Sequence, residues 1–127
     1  MTIGEAIRKV DEMQPNSFSR AEKIAWLRQL DMELWREVCM THEGWEAWAM
    51  PDNMPDYDED TEAGRQLIVP DGYDSIYLHW LQSRIDYALR ETAQYNNSNA
   101  AFEADRQAYR NWYNRKHMPR QVKERWW

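Results

Sequence analysis

From Tyr73 to Thr92 one pattern dominates: Tyr73, Ile76, Tyr77, Trp80, Leu81, Ile85, Ala88, Leu89 and Thr92 recur at steps of three and four. That spacing places them on one side of a helix with 3.6 residues per turn, and a strand with its period of two cannot do the same. The chain must therefore bury a long helical stripe. The spacing predicts a helix over about Gly72–Tyr95, capped by Asp71, with acids at 71 and 74 against the positive end of the helix dipole. Asn96-Asn97-Ser98-Asn99 reads as a turn that sends the next helix back as an αα-hairpin. That helix is expected over about Ala100–Lys116, with Phe102, Tyr109, Trp112, Tyr113 and Lys116 on its face and Pro119 beyond its end.

Two further helices precede this pair. The first runs from about Ile3 to Met13, with Ile3, Ile7, Val10 and Met13 at helical spacing and Pro15 just past it. Thr2 and Glu5 have the capping-box spacing, in which each side chain serves the other's backbone N–H. The second runs from about Arg20 to Met40. Ser19 and Glu22 repeat the box, and Ile24, Leu27, Leu30, Leu34 and Val38 form the stripe. Trp26, Trp35 and Cys39 flank it, as on a central helix or one that also meets a second chain.

Between the helix pairs, residues 41–70 carry Pro51, Pro55, Pro70 and a run of acids, which break any long element. Glu43–Ala49 is expected as a helical turn bearing Trp45 and Trp48, and Leu67-Ile68-Val69 as a short extended piece before Pro70. A connection of this length inside a small domain is usually functional or mobile. The chain of 127 residues is long enough for one modest core. The expected fold class is all-α: a four-helix bundle-like domain over 1–117, a long irregular acidic loop between helices two and three, and an extended C-terminal arm over 118–127.

Eight Trp and seven Tyr are hard to hide in one small core, so part of them is expected at contacts with other chains. Trp45, Trp48, Trp80 and Trp112 are the candidates for subunit interfaces. The arm ends in Trp126-Trp127, which are costly to leave in water. Its charge is unlike that of the rest. From Arg106 onward seven basic residues face one acid, Glu124, whereas 9 basic and 21 acidic residues before it leave −12 there and −6 overall. Such polarity suits basic-end-to-acidic-body packing between copies and disfavours nucleic acid as the main partner.

The sequence speaks against several chemistries. The acidic run Asp56–Glu62 resembles a calcium loop but places Thr61 where the sixth position needs Gly and Leu67 where the twelfth needs Glu. Cys39 and His42 have a Cys-x-x-His spacing, but a structural zinc site needs four ligands, and His79 and His117 lie on other segments. The four glycines are too scattered for a phosphate loop. His79 has no nucleophile motif beside it. An enzyme reading would require His79 buried, bonded to Asp or Glu, in an enclosed pocket. The aromatic run Tyr73, Tyr77, Trp80, Tyr87, Tyr95, Tyr109, Trp112, Tyr113 reads as core plus interface ahead of a base-stacking platform. No cofactor, metal or membrane partner is expected. The single cysteine and the absence of a signal-peptide pattern lead to the expectation of a reducing, intracellular site of synthesis.

Several stretches carry a family likeness. They are Leu67-Ile-Val-Pro-Asp-Gly-Tyr-Asp-Ser-Ile-Tyr-Leu-His-Trp-Leu-Gln-Ser-Arg-Ile-Asp-Tyr, then Glu91, Tyr95-Asn-Asn-Ser, Phe102 and Tyr113-Asn-Arg-Lys-His-Met-Pro, with Thr2-Ile-Gly-Glu-Ala-Ile-Arg-Lys-Val-Asp and Glu22-Lys-Ile-Ala-Trp-Leu-Arg-Gln-Leu-Asp at the front. This wording is similar to that of small proteins encoded among the head genes of tailed bacteriophages and prophages. The helix order resembles the head–tail connector (adaptor, head-completion) family. The resemblance implies a structural virion protein, assembled in the host cytoplasm. It would form a ring with copies of itself, typically a dodecamer, bridging the portal protein and a tail or stopper protein. DNA would be only passing cargo. It further implies that Met118, Arg120, Val122, Arg125, Trp126 and Trp127 contact the portal or a neighbour. The other class open to such a chain is an intracellular helical interaction or regulatory module.

Overall fold

A computed structural model describes residues 1–37 and 55–116. Among them are four helices and no strand: α1 (Ile3–Met13), α2 (Arg20–Glu37), α3 (Ser75–Ala88) and α4 (Thr92–Lys116). The all-α, bundle-like fold class holds.

Helix α1 has the bounds its spacing predicts, and its start is fully accounted for. Thr2 Oγ1 accepts from Glu5 N at 3.2 Å, and Glu5 Oε1 accepts from Thr2 N at 3.4 Å. The two remaining N–H groups at the helix start go to the connecting segment: Ile3 N donates to Arg65 O at 3.0 Å and Gly4 N to Ala63 O at 2.9 Å. Leu67 N returns a bond to Met1 O. The backbones meet so closely that a Cβ on Gly4 would lie 2.9 Å from Ala63 Cβ. Glycine at this position is a packing requirement. Helix α2 starts at Arg20 as expected, with Ser19 Oγ accepting from Glu22 N. The expected continuation to Met40 lies beyond the described residues, as do Trp45 and Trp48.

The connecting segment is not wholly a solvated loop. Asp58, Glu59 and Asp60 are exposed and held in local turns, but Tyr57, Leu67 and Val69 are buried in the core. The segment from 55 onward is thus docked onto α1, α2 and α3.

The second helix pair departs from expectation at both joints. Helix α3 begins at Ser75, not Gly72, because Gly72 adopts φ 98° and turns the chain before the helix starts. Asp71 does not cap it. Its carboxylate pairs with the Met1 amino group at 3.1 Å, which holds its pKa below the usual carboxylate range. The hairpin turn lies at Leu89–Glu91, not at Asn96–Asn99. Arg90 N donates to Tyr87 O and Glu91 N to Asp86 O, the paired closing bonds of a Schellman C-cap, with Arg90 at φ 58° where glycine usually stands. The Asn-rich stretch is carried inside α4, where Ser98 Oγ bonds Asp86 Oδ2 at 2.9 Å.

The core runs through all four helices: Ile3, Ala6 and Val10 from α1; Ile24, Leu27, Leu30, Leu34 and Trp35 from α2; Ile76, Tyr77, Trp80, Leu81 and Ile85 from α3; Phe102, Tyr109 and Tyr113 from α4. Helix α4 packs chiefly on α3, and α3 in turn touches α1 and α2. Thus α3, the helix with the strongest apolar pattern, is the central one.

Candidate functional site

The residues expected to act lie in three regions. Toward one end of the bundle, Glu37 in the last described turn of α2 meets the second half of α4. Arg106 and Arg110 both reach Glu37, so part of the basic charge expected to face another copy is spent within the chain. Around them Tyr73, Tyr109, Trp112 and Tyr113 form a continuous ring cluster. Trp112 lies 5.4 Å from Tyr73 and 5.9 Å from Tyr109 between centroids. Tyr109 and Tyr113 are buried, whereas Tyr73 and Trp112 are half-buried on its outer side. Lys116 places its ammonium 5.9 Å over Trp112. Tyr113 is the last buried residue of α4, and Asn114, Arg115 and Lys116 are exposed. The arm residues Met118, Arg120, Val122, Arg125, Trp126 and Trp127 follow directly and lie outside the described residues. Of the expected subunit contacts, Trp112 occupies a rim position, but Trp80 is only 6% exposed and fills the chain's own core. Its Nε1 donates to Trp26 O at 2.7 Å and its ring lies 4.9 Å from Phe102.

At the opposite end, the α3–α4 turn presents Tyr87 and Leu89 to solvent. Arg84 is fixed beneath them, its guanidinium 4.5 Å from the Trp80 ring, 5.4 Å from Tyr87 and 6.0 Å from Tyr95. The aromatic run therefore divides between core and rim instead of forming one stacking face.

Along one side of the α3–α4 pair runs a polar groove lined by His79, Gln82, Asp86, Gln94, Asn97 and Ser98. His79 Nδ1 lies 2.5 Å from Asp105 Oδ2, and Ser75 Oγ donates to the same oxygen at 3.1 Å. The tautomer with its hydrogen on Nδ1 would donate to this carboxylate and leave Nε2 for other partners. The histidine–carboxylate bond that an enzyme reading requires is present. The enclosure is not: His79 is about one-third exposed (32%), the groove is open, and the serine addresses the carboxylate, not the imidazole. Asp86 is spent on Gln14 Nε2 and Ser98 Oγ. Among the described residues no group of three His, Cys, Asp or Glu converges as metal ligands would.

One arrangement was missed at the level of sequence. Asp31 is fully buried on α2, where Tyr57 Oη donates to it at 2.9 Å and Tyr77 Oη at 2.7 Å. Tyr77 Oη also accepts from Val69 N at 2.8 Å. Burial pushes the Asp31 carboxyl up to about 6, against the two phenol hydrogen bonds, and burial beside that carboxylate pushes both phenols above their ordinary range. The signal was available: Asp31 stands four residues from Leu27 and from Trp35, on the face that the apolar stripe buries.

No helix among the described residues is long and apolar enough to cross a membrane. Comparison with protein-family models, with curated proteins and with solved structures returns no match.

Proposed function

We propose that the chain is a structural assembly protein resembling phage head–tail connectors, forming a ring that bridges portal and tail and closes the packaged genome's exit. One observation carries the reading. Helix α4 leaves the core at Tyr113 and ends in exposed Arg115 and Lys116, beside a half-buried aromatic rim of Tyr73 and Trp112. It thereby hands on a basic segment with two tryptophans from a body of opposite charge. Amphipathic aromatics and arginine are the residues that anchor protein interfaces. His79 is one-third exposed in an open groove, short of the enclosure that an enzyme reading requires.

The mechanism is mechanical. The helical body supplies the ring wall, and the arm is the link to portal or neighbour. An acidic wall repels DNA and lets it slide. The test is co-assembly. The full chain, mixed with a portal ring from the same phage or prophage genome, is expected to form a stoichiometric complex seen by size exclusion and electron microscopy. A chain that ignores the portal ring sinks the connector role. It would leave the binary interaction module as the better reading, since the exposed Tyr87–Leu89 turn suits a single protein partner equally well.

A further inference from the structure

Among the described residues the large apolar side chains that stand more than half exposed are Met13 (54%), Tyr87 (65%) and Leu89 (52%). They belong to one end of the molecule. The end of α1 is tied to the last turn of α3 by the Gln14–Asp86 hydrogen bond of 2.7 Å, which sets Met13 beside the α3–α4 turn. Tyr87 is braced: its ring lies 5.6 Å from Tyr95, with the Arg84 guanidinium 5.4 Å away. An exposed aromatic already held in place loses little freedom on binding, which is the property of an interface anchor.

We propose that this turn is the seat for residues 118–127 of a second copy of the chain, with Trp126 and Trp127 covering Tyr87, Leu89 and Met13. This rests on the assembly reading above and names its contact. Reach selects a second copy over the chain's own arm. Helix α4 has 25 residues and spans about 37 Å at 1.5 Å per residue, which separates its turn from its end. Trp127 lies eleven residues past Lys116, at most about 40 Å of fully extended chain. The chain's own arm would have to run taut along the whole bundle, at full entropic cost, whereas an arm from another copy meets no such limit. Charge agrees. Arg120, Lys123 and Arg125 against one acid, Glu124, leave the arm at net +2 and residues 1–117 at net −8, and at the seat itself Glu91 is exposed beside Arg90. Because the seat stands at the start of α4 and the arm follows from its other end, such a contact between copies is head-to-tail. Repetition of such a contact closes into a ring or runs on as a fibre.

The experiment is sedimentation equilibrium of the full chain, of Leu89→Asp, of Tyr87→Ser as a milder second variant at the seat, of the double change Trp126→Ala and Trp127→Ala, and of seat and arm changes combined. Helicity by circular dichroism checks folding of each. The full chain is expected to self-associate. The seat change and the arm change are each expected to weaken this by roughly tenfold or more, as loss of an anchor does. The combination is expected to weaken it no further, because both remove one contact. A full chain that stays monomeric at its highest soluble concentration overturns the proposal, as do seat variants that associate like the wild type or effects that add. In a Cys39→Ser background, mixing Leu89→Cys with Trp127→Cys is expected to give a disulfide-linked pair of chains. In the chain carrying both cysteines, a loop closed within the monomer overturns it. Co-assembly with a portal ring despite such a failure leaves the connector reading standing. Self-association through the seat without portal binding leaves this contact standing alone.

Discussion

At the scale of single residues, Asp31 is the side chain whose chemistry most controls the fold's response to solution conditions. It is buried, accepts hydrogen bonds from two phenols and the Ile68 backbone, and feels the Arg65 charge, yet burial outweighs these. A carboxyl whose pKa is raised to about 6 in the folded state binds its proton more tightly there than in the unfolded chain, where the ordinary value is 3.8. The sign follows from linkage. Above about pH 6 the folded state carries the cost of a desolvated charge, and as pH falls from there toward 3.8 this residue adds stability. The full swing is about 3 kcal/mol at 1.36 kcal/mol per unit. Asp31→Asn should remove it. Urea midpoints of the wild type and the variant, taken from pH 7.5 down to pH 4.5, are expected to differ by a pH-dependent amount with this sign. Parallel profiles would refute the assignment. Because Tyr57 and Tyr77 bring the connecting segment and α3 to the same carboxylate, this residue also clasps three parts of the chain together.

At the scale of elements, the α3–α4 hairpin turns on a three-residue link that uses arginine where a left-handed cap favours glycine. Arg90 sits at φ 58°, a conformation that costs a side-chain-bearing residue about 1 kcal/mol or more. Arg90→Gly relieves that strain at the price of a more flexible unfolded chain. It should raise stability by about 0.5–1 kcal/mol, read from thermal or urea unfolding. No gain would mean that the guanidinium makes a compensating contact. Strain of this kind persists where surrounding structure over-determines it, and here the paired bonds from Arg90 N and Glu91 N fix the turn.

At the scale of the whole molecule, the last residue that α4 gives to the core is Tyr113, and Asn114, Arg115 and Lys116 after it are exposed. Removal of residues 118–127 is therefore expected to leave the folded body intact, with an unfolding midpoint within about 0.5 kcal/mol of the full chain. The same truncation should abolish ring assembly. A truncated chain that unfolds early would show that the arm packs on its own body. The molecule's two ends are also chemically unlike. One gathers Arg106 and Arg110 on Glu37 beside Trp112, and the other exposes Tyr87 and Leu89. That asymmetry is what directional assembly requires.

Sequence alone determined the four helices among the described residues, the start of α1 and α2, the Thr2–Glu5 capping box, the Ser19 half of the second box and most of the core, because helical periodicity and capping are local and each is written in residues three or four apart. It did not determine where the hairpin turns. Asn96–Asn99 has the composition of a turn, but Asp86 holds Ser98 inside α4 and the break falls at Arg90, a residue without turn character. Nor did it reveal that Trp80 is consumed by Phe102 and the Trp26 carbonyl, that Asp71 serves the Met1 amine instead of a helix, or that Asp31 meets two tyrosines 26 and 46 residues away. These outcomes depend on which distant groups arrive at the same place, and only the packed chain decides that.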